Sequence, residues 1–190
     1  MGRNRNFILF LLLGSLFQSV WILENCRNGD AVAASPLRPL FLGRAERVER
    51  AGLPDFFRVS RDLYRGGQPE KSGVRELQKL GVRTVVSLRR SNKDESLFRG
   101  SGIDCVSIPM SAFFPKREGY RRFLEIVSDP TRVPVFVHCR YGSDRTGVAV
   151  ALYRIQVQKW RPQEAIREMV DGGYGFHPIH GHLKRFVRRF

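Results

Sequence analysis

A cysteine and an arginine lie six positions apart in one short segment, which reads His138, Cys139, Arg140, Tyr141, Gly142, Ser143, Asp144, Arg145, Thr146. An apolar run at 133–138 precedes it and predicts a buried strand, and an apolar stretch at 146–159 follows it and predicts a buried helix. Open α/β sheets bind ligands at the carboxyl ends of their strands, and a helix N-terminus binds anions through its free N–H groups. We therefore expect residues 140–145 to wrap their amides around one phosphate group, with Gly142 permitting the unusual turn.

The same surroundings favour a reactive cysteine. Thiol pKa values fall near helix N-termini and cationic side chains, so Cys139 is expected to be a thiolate at neutral pH that attacks phosphorus. Arg145 offers a planar, bidentate clamp for the phosphoryl oxygens. Thr146 can donate its hydroxyl to the sulfur when the phosphocysteine is hydrolysed. A buried structural cysteine is the alternative, and a metal site is disfavoured because His138 and Cys139 supply too few ligands.

Strand and helix patterns alternate along residues 56–190. Two short strands are predicted around Arg61 and Asp62, and longer ones at 82–88, 103–108 and 133–138. Helices are predicted at 69–80, 116–129, 146–159, 162–172 and 179–189. This alternation indicates an α/β fold with a central, mainly parallel sheet of about four to five strands flanked by helices.

The N-terminal third of the chain has a different character. Residues 1–33 combine a basic start, an uncharged apolar run at 7–23 and an Ala-x-Ala sequence at 31–33, the parts of an export signal. The run is also just long enough for an uncleaved membrane anchor. Both interpretations place residues 56–190 outside the cytoplasmic membrane, as a periplasmic, secreted or anchored domain. Residues 34–55, rich in Pro and Gly, are predicted to be a linker.

The sequence at 138–146 resembles the active-site motif of protein-tyrosine phosphatases, Cys-x5-Arg-Thr preceded by His. Its form is similar to that of the compact dual-specificity-like group. Segments 63–69, 87–89 and 172–177 are similar to bacterial members of that group. The resemblance implies a dual-specificity-phosphatase-like fold and a cofactor-free, two-step hydrolysis of phosphomonoesters through a cysteinyl-phosphate. It also implies that His138 tunes Cys139 through hydrogen bonds.

This chemistry commonly uses a general acid, which in the family is an aspartate in the loop after the strand that corresponds to 103–108. This sequence has no aspartate there. Residues 109–116, after the strand at 103–108, contain no carboxylate, and Glu118 is the nearest. Asp144 is our preferred substitute, as in relatives with Asp-Arg-Thr that act on phosphoinositides. The alternatives are that Asp144 only stabilises the loop or pairs with Arg145, or that a good leaving group makes an acid unnecessary.

The formal net charge of +15 favours anionic partners. We expect a monomer that acts on a phosphorylated protein or a small phosphorylated molecule, with an acidic membrane surface as a further partner and no nucleic acid. The basic residue Arg140 beside the nucleophile leaves room for a phosphoinositide, phospholipid or polyphosphate substrate. The rival functions are a non-catalytic phosphate-binding module of the same fold and a basic nucleic-acid-binding or membrane-binding protein, which would rest on charge alone.

Overall fold

The computed structural model describes residues 43–91 and 94–190. In that part of the chain the strands are β1 (Glu46–Arg47), β2 (Phe57–Arg58), β3 (Leu63–Gly66), β4 (Thr84–Ser87), β5 (Asp104–Ser107) and β6 (Val135–His138). The helices are α1 (Lys71–Lys79), α2 (Asp94–Phe98), α3 (Arg117–Ser128), α4 (Asp144–Gln156), α5 (Pro162–Asp171) and α6 (His182–Arg189). A 3₁₀ turn, Pro178–His180, leads into α6.

The strands form one sheet in the order β1-β2-β3-β6-β4-β5. Neighbours from β3 to β5 are parallel, and β1, β2 and β3 pair antiparallel at one edge. β6 lies between β3 and β4 and is buried at every position, so the segment that precedes Cys139 is the centre of the sheet. The predicted α/β fold with a mainly parallel sheet is confirmed, with six strands instead of four or five.

The strand that exceeds the predicted number is β1, which lies inside the segment 34–55 that was predicted to be a linker. It pairs with β2, and the N–H of Ala45 just before it donates to Glu168 on α5 at 2.8 Å. A two-residue strand is too short for any periodic pattern, so no signal in the sequence marks it. The folded region therefore includes residues that the prediction of a linker at 34–55 left out.

Helices cover both faces of the sheet because successive side chains of a strand point to opposite faces. In β6, Val135 and Val137 belong to a core shared with α3, α4, α5 and α6. Phe136, between them, belongs to a second core shared with α1 and α2. The central strand is therefore fixed from both sides, which holds its carboxyl end in a defined place.

The five predicted helices are present, and α2, at Asp94–Phe98, is a further helix that was not predicted. α4 begins at Asp144, two residues earlier than predicted, so Asp144 and Arg145 are in its first turn. The predicted last helix is divided into the 3₁₀ turn and α6. Among the residues described, no helix has the length and apolarity needed to cross a membrane. The predicted export signal or anchor at 1–33 lies outside this range.

Candidate active site

Residues 139–143 connect the end of β6 to the start of α4, and we call residues 139–145 the phosphate loop. Cys139 follows the last residue of the central strand and is buried, with only 2% of its surface exposed. Ser143 occupies the N-cap position of α4, and Asp144 adds an acidic residue to its first turn. The loop thus lies where a helix N-terminus and the carboxyl ends of parallel strands meet, as the sequence predicted.

The carbonyl groups of the phosphate loop are engaged by surrounding residues. These contacts are Cys139 O with His138 Nδ1 (3.2 Å), Arg140 O with Gln68 N (3.1 Å), Gly142 O with Arg65 Nη2 (2.7 Å) and Arg145 O with Tyr120 Oη (3.5 Å). A trans peptide points its C=O and the following N–H in opposite directions. Because protein groups bind these four carbonyls, the N–H groups that follow them point away from those partners and are left for an anion.

Glycines allow two chain segments to approach the loop closely. Gly142 has a φ of +72°, and a Cβ there would lie 2.6 Å from the carbonyl carbon of Gly66. The neighbouring Gly67 donates its N–H to Pro54 O at 2.8 Å. Gly142 is therefore required by the close approach of segment 63–69, whereas a Cβ at Gly66 would first meet Phe136 and one at Gly67 would first meet Pro54.

Arg145 is held by the ends of two other strands. Its Nη1 donates to Leu88 O at 3.2 Å, just after β4, and to Met110 O at 3.5 Å, beyond β5. These bonds fix the guanidinium beside the phosphate loop while leaving its other N–H groups available to a ligand. The structure thus brings Cys139 and Arg145 to the two ends of one loop.

A second arginine, which sequence analysis did not single out, lies beneath the loop. Arg65 on β3 is 1% exposed, donates to Gly142 O and stacks 3.8 Å over the ring of Tyr174. Burial lowers the pKa of Arg65 to about 10, against the opposing influence of Tyr174, Glu168 and Cys139. The side chain is therefore still charged at neutral pH and places a cation close to the nucleophile.

His138 contacts the loop through one ring nitrogen and faces a carboxylate with the other. Its ring is fully buried, and its Nε2 is 3.6 Å from Asp94 Oδ2 at the start of α2. Because the Cys139 carbonyl can only accept, Nδ1 carries the hydrogen of their bond. Burial lowers the pKa of His138 to about 4, although Asp94 acts to raise it. His138 is therefore neutral at neutral pH.

Asp94 is held in place by a chain of side chains. Its Oδ1 accepts from Gln68 Nε2 at 2.5 Å, and Gln68 Oε1 accepts from Arg89 Nη1 at 2.6 Å. Asp94 and Glu95 follow a strand and lie near Arg89 and Arg90 in sequence, a pattern that predicts a salt-bridged surface loop, and for Asp94 this prediction is wrong. Asp94 is fully buried behind the phosphate loop, whereas Glu95 is exposed.

Asp144 uses both carboxylate oxygens as acceptors. Oδ1 accepts from the N–H of His177 at 2.9 Å, and Oδ2 accepts from the hydroxyl of Ser143 at 3.1 Å. Oδ2 also faces Nε2 of His180 at 3.9 Å. These contacts tie the first turn of α4 to residues 177–180. The role of Asp144 as general acid stays a prediction.

The other predicted site residues lie around the same opening. Thr146 is fully buried one residue after the clamp, and its hydroxyl has no hydrogen-bond partner within the described ranges. Arg140 and Tyr141 are exposed on the loop. A cleft of about 490 Å³ opens beside the loop, and its lining includes Tyr141, Ser143, Asp144, Tyr174, Ile179 and His180. Cys139 and Cys105 are both free thiols.

Comparison with known proteins identifies the class to which this arrangement belongs. The family model described as a DSP-PTPase phosphatase fused to NAD⁺ kinase matches residues 55–175. The chain is 35% identical over 122 residues to the dual specificity protein phosphatase TpbA of Pseudomonas aeruginosa, covering 64% of this chain and 56% of that protein. It thus spans just over half the length of this curated relative.

Solved structures agree with the sequence match. The crystal structure of P. aeruginosa TpbA superposes with a TM-score of 0.70 at 31% identity, covering 79% of this chain and 92% of that one. The core catalytic domain of the PP-IP phosphatase Siw14 from S. cerevisiae has a TM-score of 0.65 over 75% of this chain and 88% of that one. At 19% identity that second likeness shows the fold alone.

The fold and the phosphate loop are those of the cysteine-dependent protein-tyrosine-phosphatase superfamily. Within it, the chain belongs to the DSP-PTPase family, the bacterial dual-specificity-like group that segments 63–69 and 138–146 had indicated.

Proposed function

We propose that the chain hydrolyses phosphate monoesters of proteins, of the phosphotyrosine or dual-specificity type, through a cysteinyl-phosphate. The observation that carries this proposal is the position of Cys139 and Arg145 at the two ends of a loop in which protein groups bind four of the carbonyls. A phosphoryl group within this loop meets the sulfur on one side and amides around its oxygens. TpbA, at 31% sequence identity, has also been solved in complex with phosphotyrosine, which supports this substrate class.

The reaction needs two displacements at phosphorus. In the first, the Cys139 sulfur bonds to phosphorus while the bond to the leaving oxygen breaks, and that oxygen takes up a proton. In the second, water bonds to phosphorus, the S–P bond breaks and inorganic phosphate leaves. Arg145 and the loop amides stabilise charge on the equatorial oxygens in both steps. We expect Thr146 to donate its hydroxyl to the departing thiolate.

Replacement of the nucleophile tests the proposal. Cys139→Ser should abolish turnover of a phosphotyrosyl peptide while inorganic phosphate still protects the chain against thermal unfolding, since the amides and Arg145 remain. Arg145→Lys should weaken that protection, because the planar clamp is lost. Appreciable turnover in pure Cys139→Ser protein would rule out the cysteine mechanism. Phosphate binding without turnover in the unmodified chain would favour the non-catalytic module.

A phosphoinositide, phospholipid or polyphosphate substrate is the second candidate. It is favoured by the absence of a carboxylate in residues 109–116 and by the exposed Arg140 beside the nucleophile. A substrate panel of an aryl phosphate, phosphopeptides, phosphoinositides and polyphosphate separates the two candidates by kcat/KM.

We also propose that residues 1–33 export the protein, so that the domain acts as a monomer in the periplasm or outside the cell, or anchored by residues 7–23. The basic start, apolar run and Ala-x-Ala sequence support export. The charge of +15 supports contact with acidic membrane surfaces. Fractionation of cells, together with N-terminal sequencing of the product, tests both location and cleavage.

A further inference from the structure

Exposed apolar side chains are concentrated around the opening of the active site. Across residues 43–91 and 94–190, five large apolar side chains are exposed, and four of them lie at this opening: Phe113 (56%), Phe114 (79%), Tyr141 (66%) and Ile179 (62%). We call these four the apolar rim. The fifth, Val157 (37%), follows the far end of α4, roughly 20 Å along the helix from the phosphate loop.

The rim is brought together by three segments that are distant in sequence. The ring of Phe113 packs 4.7 Å from the ring of His180, which adjoins Ile179. Ile179 and Tyr141 line the same cleft beside the phosphate loop. Single exposed apolar residues are common, but a contiguous group around a site indicates an interaction surface.

Cations accompany the rim. Arg90 and Lys116 line one depression together with Phe114, and the guanidinium of Arg140 is 5.4 Å from the centre of the Tyr141 ring. Two carboxylates line the cleft: Asp55 is paired with Arg47 at 3.1 Å, and Asp144 accepts from His177 N and the Ser143 hydroxyl. Aromatic residues flanked by Lys and Arg are the composition of surfaces that lie at the headgroup level of anionic membranes.

We propose that the apolar rim docks the protein on an anionic lipid bilayer, so that the phosphate loop meets phosphate monoesters of lipid headgroups. The rim side chains come from three separate segments around an opening, which suits a flat surface. An extended peptide is instead held along a continuous groove or sheet edge. The turnover of lipid phosphate rests on the second candidate of the proposed function, a phospholipid or phosphoinositide substrate, whereas the docking does not.

Docking is tested by placing a reporter on the rim of the full chain carrying Cys139→Ser. The tryptophan fluorescence of Phe113→Trp and of Val157→Trp is compared on vesicles of phosphatidylglycerol and phosphatidylcholine. The fluorescence of Trp21 and Trp160, measured in the Cys139→Ser parent, is subtracted from each. The tryptophan added at position 113 should shift to the blue and be quenched by brominated lipid, and the one at position 157 should not. Equal shifts and equal quenching at the two positions would overturn the proposal. The comparison between the two positions does not depend on catalysis or on any membrane contact of residues 7–23.

Turnover gives the second measurement. The double variant Phe113→Ser, Phe114→Ser should raise KM for a lipid phosphate in vesicles by about tenfold or more, since each phenyl ring loses its apolar burial. Its kcat/KM for a soluble aryl phosphate should equal that of Val157→Ser. Inactivity of the unmodified chain on the aryl phosphate would refute the proposed function and leave the reporter result standing. If the double variant raised KM for a phosphotyrosyl peptide, and the reporter in Phe113→Trp stayed unquenched on vesicles, the rim would be a protein-docking surface and the membrane proposal would be overturned.

Discussion

Lowering the pH should destabilise the folded domain through His138. Burial lowers the pKa of this ring from 6.5 to about 4, with Asp94 opposing the shift. In the unfolded chain the ring takes up a proton as the pH falls through about 6.5, while in the folded chain it stays neutral until about pH 4. The unfolded state binds more protons within this window, so stability is present above it and is lost as the pH falls across it.

The size of the effect follows from the shift. A difference of one pKa unit corresponds to about 1.4 kcal/mol, so the shift of His138 amounts to about 3 kcal/mol between the top and bottom of the window. Other groups also titrate in this pH window. Their contribution cancels when the unfolding free energy of a variant without the ring is subtracted from that of the unmodified chain. His138→Asn keeps an amide N–H near the Cys139 carbonyl and has no proton to gain.

The assay is urea denaturation of both proteins at about pH 7.5 and about pH 4. The unfolding free energy of the unmodified chain, minus that of His138→Asn, should fall by about 3 kcal/mol from the higher to the lower pH. His177→Asn, which removes an exposed ring, is measured at the same two pH values as a control for the loss of a histidine. A constant difference for His138→Asn would show that the buried ring is not the acid-sensitive group.

Three further outcomes are expected. Iodoacetate at about pH 6 should alkylate Cys139 and spare Cys105, because burial raises the pKa of Cys105 to about 11, and peptide mass spectrometry distinguishes them. Insensitivity of Cys139 to iodoacetate would mean that it is not an accessible thiolate. Asp144→Asn should slow phosphates with poor leaving groups by about 10²–10⁴-fold more than activated aryl phosphates if Asp144 is the acid, and an equal loss on both would exclude it. Arg65→Lys, which loses the bond to Gly142, should lower the free energy of unfolding by about 1–3 kcal/mol, whereas Arg99→Lys on the surface should not.

The sequence predicted the parts of the site that are encoded locally. Cys139, Arg145 and the strand and helix on either side lie within one continuous stretch, so spacing alone indicated their arrangement. The strand β6 and helix α4 are apolar enough that only a buried position suits them. For the same reason the mainly parallel sheet was predictable, while the two-residue strand β1 was not.

The supports of the phosphate loop were not predictable, because their roles depend on tertiary contacts. Arg65 lies in a strand pattern in which a basic residue usually faces solvent, and only the fold places it under Gly142. Asp94 follows a polar stretch at 91–93 that is typical of a surface loop, yet it is buried against His138. Segment 63–69, which contains Arg65 and Gln68, was the one available signal, through its resemblance to related phosphatases.

The contacts of Asp144 restrict how it can act as an acid. Oδ1 accepts from the backbone N–H of His177, which can only donate, so this oxygen cannot carry the proton without losing that bond. Oδ2 faces the Ser143 hydroxyl, which can rotate from donor to acceptor, so Oδ2 is the oxygen that can hold a proton while the loop keeps its shape. The ring of His180 lies on the same side, with its Nε2 3.9 Å from Oδ2. The same carboxylate can therefore anchor residues 177–180 through one oxygen and transfer a proton through the other.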